Sequence, residues 1–112
     1  MKADGDRAET QALEHLLDEG CSLMARNFRS RFGEIDLIVR DGNTLVFVEV
    51  RKRSVSRFGT AADSIGPTKQ QKLIATAHFY LTRYRQPPPC RFDAVLVDGE
   101  GRVEWMKDAF RV

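Results

Sequence analysis

Apolar positions recur along the chain with two periods, and the switches between them mark out the elements. From Asp6 to Glu19, the residues Ala8, Ala12, Leu13, Leu16 and Leu17 keep the three- and four-residue spacing of one helix face, and Gly20 supplies a stop. Ser22 to Phe28 predicts a strand. Gly33 to Arg40 and Thr44 to Arg51 predict two more, joined by Asp41-Gly42-Asn43, a strong hairpin signal. Lys52 to Gly66 reads as a loop. Pro67 suits a first helical position, and Leu73, Ile74, Ala77, Leu81 and Tyr84 mark a second helix that ends before Pro87-Pro88-Pro89. Phe92 to Val97 is a fourth strand, and Asp98-Gly99-Glu100-Gly101 turns the chain into a short fifth, Arg102 to Met106. The order α-β-β-β-α-β(-β) predicts an α/β fold in which helices flank a mixed sheet.

Register arithmetic on the central hairpin brings out its chemistry. With Gly42-Asn43 as the two-residue loop, Asp41 faces Thr44, Val39 faces Val46, Leu37 faces Val48 and Ile35 faces Val50, one apolar face without interruption. On the other face Ile38 lies opposite Phe47, Asp36 opposite Glu49 and Glu34 opposite Arg51. Taking Asp41-Gly42 as the loop instead makes Asp36 and Glu49 diagonal neighbours on the same face. In both registers two carboxylates point the same way, with Cβ atoms about 4.5–5.5 Å apart when directly opposed. Ile38 and Phe47 beside them imply a partly covered face, which raises the cost of two unshielded anions. A bound divalent cation, a shared proton, or neighbouring Arg and Lys would each compensate. Two carboxylates plus water suit Mg²⁺ or Mn²⁺, hard ions that keep waters and take substrate phosphate as a further ligand.

Length and composition narrow the choice by exclusion. The 112 residues fit one domain, 1–112, and 42% hydrophobic content is enough for one core. No apolar run approaches a membrane span, and the N-terminus lacks the apolar stretch of a secretory signal. Cys21 and Cys90 stand far apart with no Cys-x-x-Cys or Cys/His pairing, so neither a zinc site nor a disulfide scaffold is expected, and a reducing cytoplasm is. A Gly-rich phosphate loop is absent, which argues against a nucleotide or other small-molecule cofactor.

The net charge is +2, but its distribution is uneven. Residues 1–19 hold two cations against six anions, whereas residues 50–91 hold nine cations (Arg51, Lys52, Arg53, Arg57, Lys69, Lys72, Arg83, Arg85 and Arg91) against Asp63 alone. A basic centre of this density points to a polyanion partner, nucleic acid first. A solubilising surface whose charges merely cluster in sequence is the plainer alternative.

Gly33-Glu34-Ile35-Asp36-Leu37-Ile38 followed by Phe47-Val48-Glu49-Val50-Arg51-Lys52-Arg53 resembles the Asp…Glu-x-Lys signature of the restriction-endonuclease-like, or PD-(D/E)xK, superfamily. More specifically, the chain resembles the YraN-like bacterial family, which is similar to archaeal Holliday-junction resolvases. The likeness extends over Arg7-Ala8-Glu9, Gly20, Arg26-Asn27-Phe28-Arg29, Phe58-Gly59, Lys69, Ala77 to Leu81 and Arg91-Phe92-Asp93. It implies a restriction-endonuclease-like core and metal-dependent hydrolysis of phosphodiesters, in DNA more than RNA and in branched or structured DNA above all. Asp36 and Glu49 match the two metal-binding acids, and Glu9 a first-helix acid that helps hold Mg²⁺ or Mn²⁺. Arg51 stands where the signature has lysine. Arginine can steady charge at the phosphate, but it cannot accept a proton. Lys52 is turned to the opposite face by strand alternation, so Lys69 is the expected substitute donor. Arg51, Lys52, Arg53, Arg57, Lys69 and Lys72 would track the nucleic-acid backbone, and Phe58 at a loop tip would stack on a branch point or pack. Resolvase-like proteins work as dimers, so the resemblance admits a homodimer. Two rival functions remain open: a nucleic-acid-binding module that has lost cleavage, and a protein-interaction scaffold on the same fold.

Overall fold

The computed structural model describes residues 3–53 and 65–111. Its elements run α1 (Ala3–Asp18), β1 (Ser22–Ser30), β2 (Gly33–Asp41), β3 (Thr44–Arg53), α2 (Pro67–Leu81), β4 (Cys90–Asp98) and β5 (Val103–Phe110). The five strands form one mixed sheet in the order β1-β2-β3-β4-β5. Only β3 and β4 are parallel, and α2 is the crossover that a parallel pair requires. Over the described residues the element order expected from the periodicities is the observed one, with strands a few residues longer than the apolar pattern marks. Lys52 and Arg53 belong to β3, and most of the loop expected over 52–66 lies outside the described residues.

Local chemistry sets the element ends. Past α1, Gly20 takes φ +100° while Gly20 N–H donates to the Leu17 carbonyl and Cys21 N–H to that of Leu16, both at 3.0 Å. This is the paired closure that a glycine in the left-handed region permits. At the hairpin, Gly42 takes φ +62° and Asn43 does not, which fits a type II′ turn. Asp41 pairs with Thr44, Val39 with Val46 and Leu37 with Val48, the first of the two registers.

Each helix covers one face of the sheet. On one side Ala8, Ala12 and Leu16 of α1 pack on Leu37, Val39, Val46, Val48, Val95 and Val97. On the other, Leu73, Ala77 and Tyr80 of α2 pack on Ile35, Ile38, Leu45, Phe47 and Phe92. Buried on both faces, β4 reads as the continuous apolar run Ala94–Val97. Ile35 departs from the expected pattern: it lies with Ile38 on the α2 face, not with Leu37. Strict alternation fails because the β2–β3 ladder ends at Leu37↔Val48, while the facing strand β1 holds Asn27 at φ +55°. Among the described residues no helix is long and apolar enough to cross a membrane.

Candidate active site

The end of the β2–β3 ladder creates the site. Beyond Leu37 and Val48 the Asp36 side chain takes the place of a backbone partner, its Oδ2 accepting the Val50 N–H at 2.8 Å. The Asp36 carboxyl is thereby locked at the point where the two strands part. Glu49, only 5% exposed, sits beside it on β3. Its Oε2 lies 3.3 Å from Lys69 Nζ, at the start of α2, and 3.4 Å from Arg51 Nη1. From the opposite face α1 contributes Glu9, whose Oε1 is 3.5 Å from Arg26 Nε. Ala8, Glu9, Asp36, Val50, Arg51 and Lys52 line a cleft of about 270 Å³. Glu49 does not line that cleft itself; it connects it to Lys69 behind.

Burial, then the adjacent Glu49 carboxylate, push the Asp36 carboxyl up from 3.8 to about 7, against the opposing pull of the Val50 N–H and Lys69. Glu9 is raised as well, by burial first and by Asp36 second, while Asn27 and Arg26 pull it down. Glu49 Oε1 is buried with no hydrogen-bond partner, while the buried Glu9 Oε1 has only the Arg26 guanidinium at 3.5 Å. A buried carboxylate oxygen without a donor is costly, so a proton on Asp36 or a cation between the acids is needed to complete the arrangement. Hard oxygen donors that lack partners fit Mg²⁺ or Mn²⁺. Among the described residues no three acidic, histidine or cysteine side chains are grouped to hold an ion by themselves. Asp36 and Glu49 are therefore the pair that would hold such an ion, with Glu9 at the side.

The residues named from sequence fall in three places. Asp36, Glu49, Arg51 and Lys69 adjoin one another, whereas Glu9 borders the cleft beside Asp36 without forming the three-acid group expected of Glu9, Asp36 and Glu49. Lys52, expected on the face away from Arg51, nonetheless lines the same cleft. No bulge is involved, since β3 pairs with β4 without a break through Arg53. Arg53 turns elsewhere, 2.9 Å from Glu104, and borders a neighbouring cleft with Arg7 and Asp98. Lys72 lies exposed on α2 against Gly33, one turn beyond Lys69. Arg57 and Phe58 lie outside the described residues. Periodicity missed Arg26, whose side chain reaches Glu9 and also donates to Thr10 Oγ1 at 2.9 Å. A register shift in β1 between Leu23 and Ala25 turns it toward α1, and no residue type in that strand announces it.

Fold and site together define a mixed-sheet α/β protein with a close acid pair at the mouth of a parting hairpin, flanked by arginine and lysine. The model of the uncharacterised protein family UPF0102 matches residues 8–97. UPF0102 proteins of Herminiimonas arsenicoxydans and Janthinobacterium sp. (strain Marseille) are 50% and 52% identical to this chain over 105 residues, covering 94% of it and 84% and 85% of the relatives. Another, from Methylobacillus flagellatus, is 52% identical over 113 residues and 98% of both chains. The chain belongs to this bacterial family, the YraN-like one that its motifs resemble.

Proposed function

We propose that the protein is a metal-dependent endonuclease of the restriction-endonuclease-like superfamily, hydrolysing phosphodiester bonds in branched or structured DNA. The observation that carries the reading is the Asp36–Glu49 pair with its unpartnered buried oxygen, set beside three cations. Asp36 and Glu49 would hold Mg²⁺ or Mn²⁺, Glu9 bordering them. A hard divalent ion bound there supplies a water of lowered pKa and neutralises the phosphate. Val50 N–H holds the Asp36 carboxyl in place. Arg51 and Lys69, which share Glu49 Oε2, would turn to phosphate oxygens and stabilise charge that grows in the transition state. Arg51 does this as a permanent planar cation, while Lys69 can also give or take a proton. Lys52, on the cleft wall, binds the backbone of the nucleic acid. Such chemistry belongs in the cytoplasm with the cell's DNA, and the unpaired Cys21 and Cys90 agree with that setting.

A nucleic-acid binder without cleavage is the second reading, favoured by arginine at position 51. Incubation with single-stranded, flapped and four-way DNA plus Mg²⁺ or Mn²⁺ decides between them. Metal-dependent cleavage that Asp36→Ala abolishes supports the nuclease. Salt-sensitive binding without cleavage leaves the binder, and cleavage that survives both Asp36→Ala and Glu49→Ala refutes the metal mechanism.

A further inference from the structure

About ten residues along α2 from Lys69, the helix and the β1–β2 turn enclose a second groove, of about 710 Å³. Its lining includes Arg31, Phe32, His78, Phe79 and Thr82. Two rings stand open to solvent there, Phe32 at 40% and Phe79 at 50% exposure. The backbone at Phe32 is tied to α2 through Ser30, and Phe79 rests on a further ring. Phe32 N–H donates to Ser30 Oγ at 3.0 Å, and Ser30 Oγ in turn meets Thr76 Oγ1 on α2 at 3.3 Å. Phe79 stacks on Phe28 at 6.2 Å between centroids. The guanidinium of Arg31 lies 5.1 Å from the Phe32 ring centre, and that of Arg83 lies 5.5 Å from that of Phe28.

Charge decides what such a groove accepts. Arg31 is the one Lys or Arg side chain in the lining, which holds no carboxylate, and Arg83 lies over the Phe28 ring on which Phe79 stacks. A neutral apolar partner would bury those cations at a cost, and a second copy related by a twofold axis would bring like charges together. An unpaired nucleobase meets both features, because its face stacks on a ring while its phosphate answers an arginine. Lys69, Lys72 and Phe79 follow one side of α2. At 1.5 Å per residue, Phe79 lies ~15 Å from Lys69, the span of about four stacked nucleotides at ~3.4 Å each.

We propose that the Phe32–Phe79 groove is a stacking platform for unpaired bases, so that the substrate enters the acidic cleft carrying a single-stranded segment. The proposal rests on the nuclease reading for its substrate class. The test measures binding without metal, using a labelled oligothymidylate of about twenty residues and a duplex of the same length. Phe79→Leu keeps an apolar contact for Phe28 and removes the ring face, and Phe32→Ala removes the other ring. Each should weaken oligothymidylate binding by about 5- to 30-fold while duplex binding changes less than about twofold. Where Phe79→Leu fails to fold, Phe32→Ala and His78→Ala carry the comparison. Unchanged oligothymidylate binding, or equal loss for both probes, overturns the platform. So does sedimentation showing a dimer that Phe79→Leu dissociates, which would assign the groove to a second copy. A wild-type protein that cleaves duplex DNA while the ring variants match it overturns this inference alone. One that binds neither probe overturns the nuclease reading too.

Discussion

Asp36→Asn should make the protein more stable at neutral and alkaline pH, although it removes a carboxylate at the centre of the site. The Asp36 carboxyl titrates near 7 in the folded chain, against 3.8 for the free group. Between those values the folded state binds more protons than the unfolded one, so stability falls as pH rises through the window and levels off above about 7. Roughly three pH units at ~1.36 kcal/mol each set a ceiling of ~4 kcal/mol. Partial exposure of the carboxyl and screening by water reduce this to on the order of 2 kcal/mol. Asparagine can still accept the Val50 N–H, and its amide can donate to Glu49, which lacks a partner on Oε1. With an unfolding entropy of ~2.1 cal/mol/K per residue, 2 kcal/mol is about 8 °C in Tm for a chain of this length. Thermal unfolding followed by circular dichroism from pH 4 to 8, without metal, is the assay. The difference between variant and wild type should be near zero at pH 4 and climb to about +8 °C at pH 8. A difference that stays flat or turns negative at pH 8 would refute a strained acid pair. Millimolar Mg²⁺ should then raise the wild-type Tm at pH 8 and leave that of Asp36→Asn in place, as expected where function is held at the expense of stability.

Three further outcomes follow from other parts of the molecule. Arg51→Ala should lower metal-dependent cleavage on the order of 10²–10³ in rate, as for a lost charge-stabilising donor; activity untouched by Arg51→Ala but abolished by Lys69→Ala would move that role to α2. Reversing Lys52 to Glu should weaken binding to all DNA sequences alike, and wild-type log K should fall against log salt with a slope near −4 to −5 if about five phosphates are contacted; affinity indifferent to salt would favour a protein-interaction scaffold. Asp93 is fully buried and accepts from Arg91 Nε at 2.9 Å, Trp105 Nε1 at 2.8 Å and the Asp108 N–H at 2.8 Å. Asp93→Ala leaves those donors unmet and should cost about 3–5 kcal/mol in denaturant unfolding, with Trp105 fluorescence as the probe.

Side-chain periodicity determined most of the architecture, because burial on a sheet or helix face is written in steps of two or of three to four residues. The structure chose between the two hairpin registers that residue order allowed, but both helices, the turn and the adjacency of Asp36 and Glu49 followed from that order. Their distance from water and from each other did not. Ladder breaks depend on contacts between distant segments: Asp36 meets the Val50 N–H where β2 and β3 part, and Asp93 meets the Asp108 N–H where β5 carries Asp108 at φ +58°. In each case a carboxylate replaces a backbone acceptor across a gap that alternation cannot foresee. Ile35 lies on the α2 face and Lys52 lines the cleft, two placements that alternation does not give. Charge counted along the chain marked residues 50–91 as basic, but tertiary packing sorted those cations, sending Lys69 to Glu49 and Arg53 to Glu104. The exposed rings of Phe32 and Phe79 come to line one groove only because α2 docks beside the β1–β2 turn. Which residues are acidic, basic or aromatic is a property of the sequence. Which of them face one another was decided by the fold, since electrostatic and stacking energies act over a few ångströms of space and not along the chain.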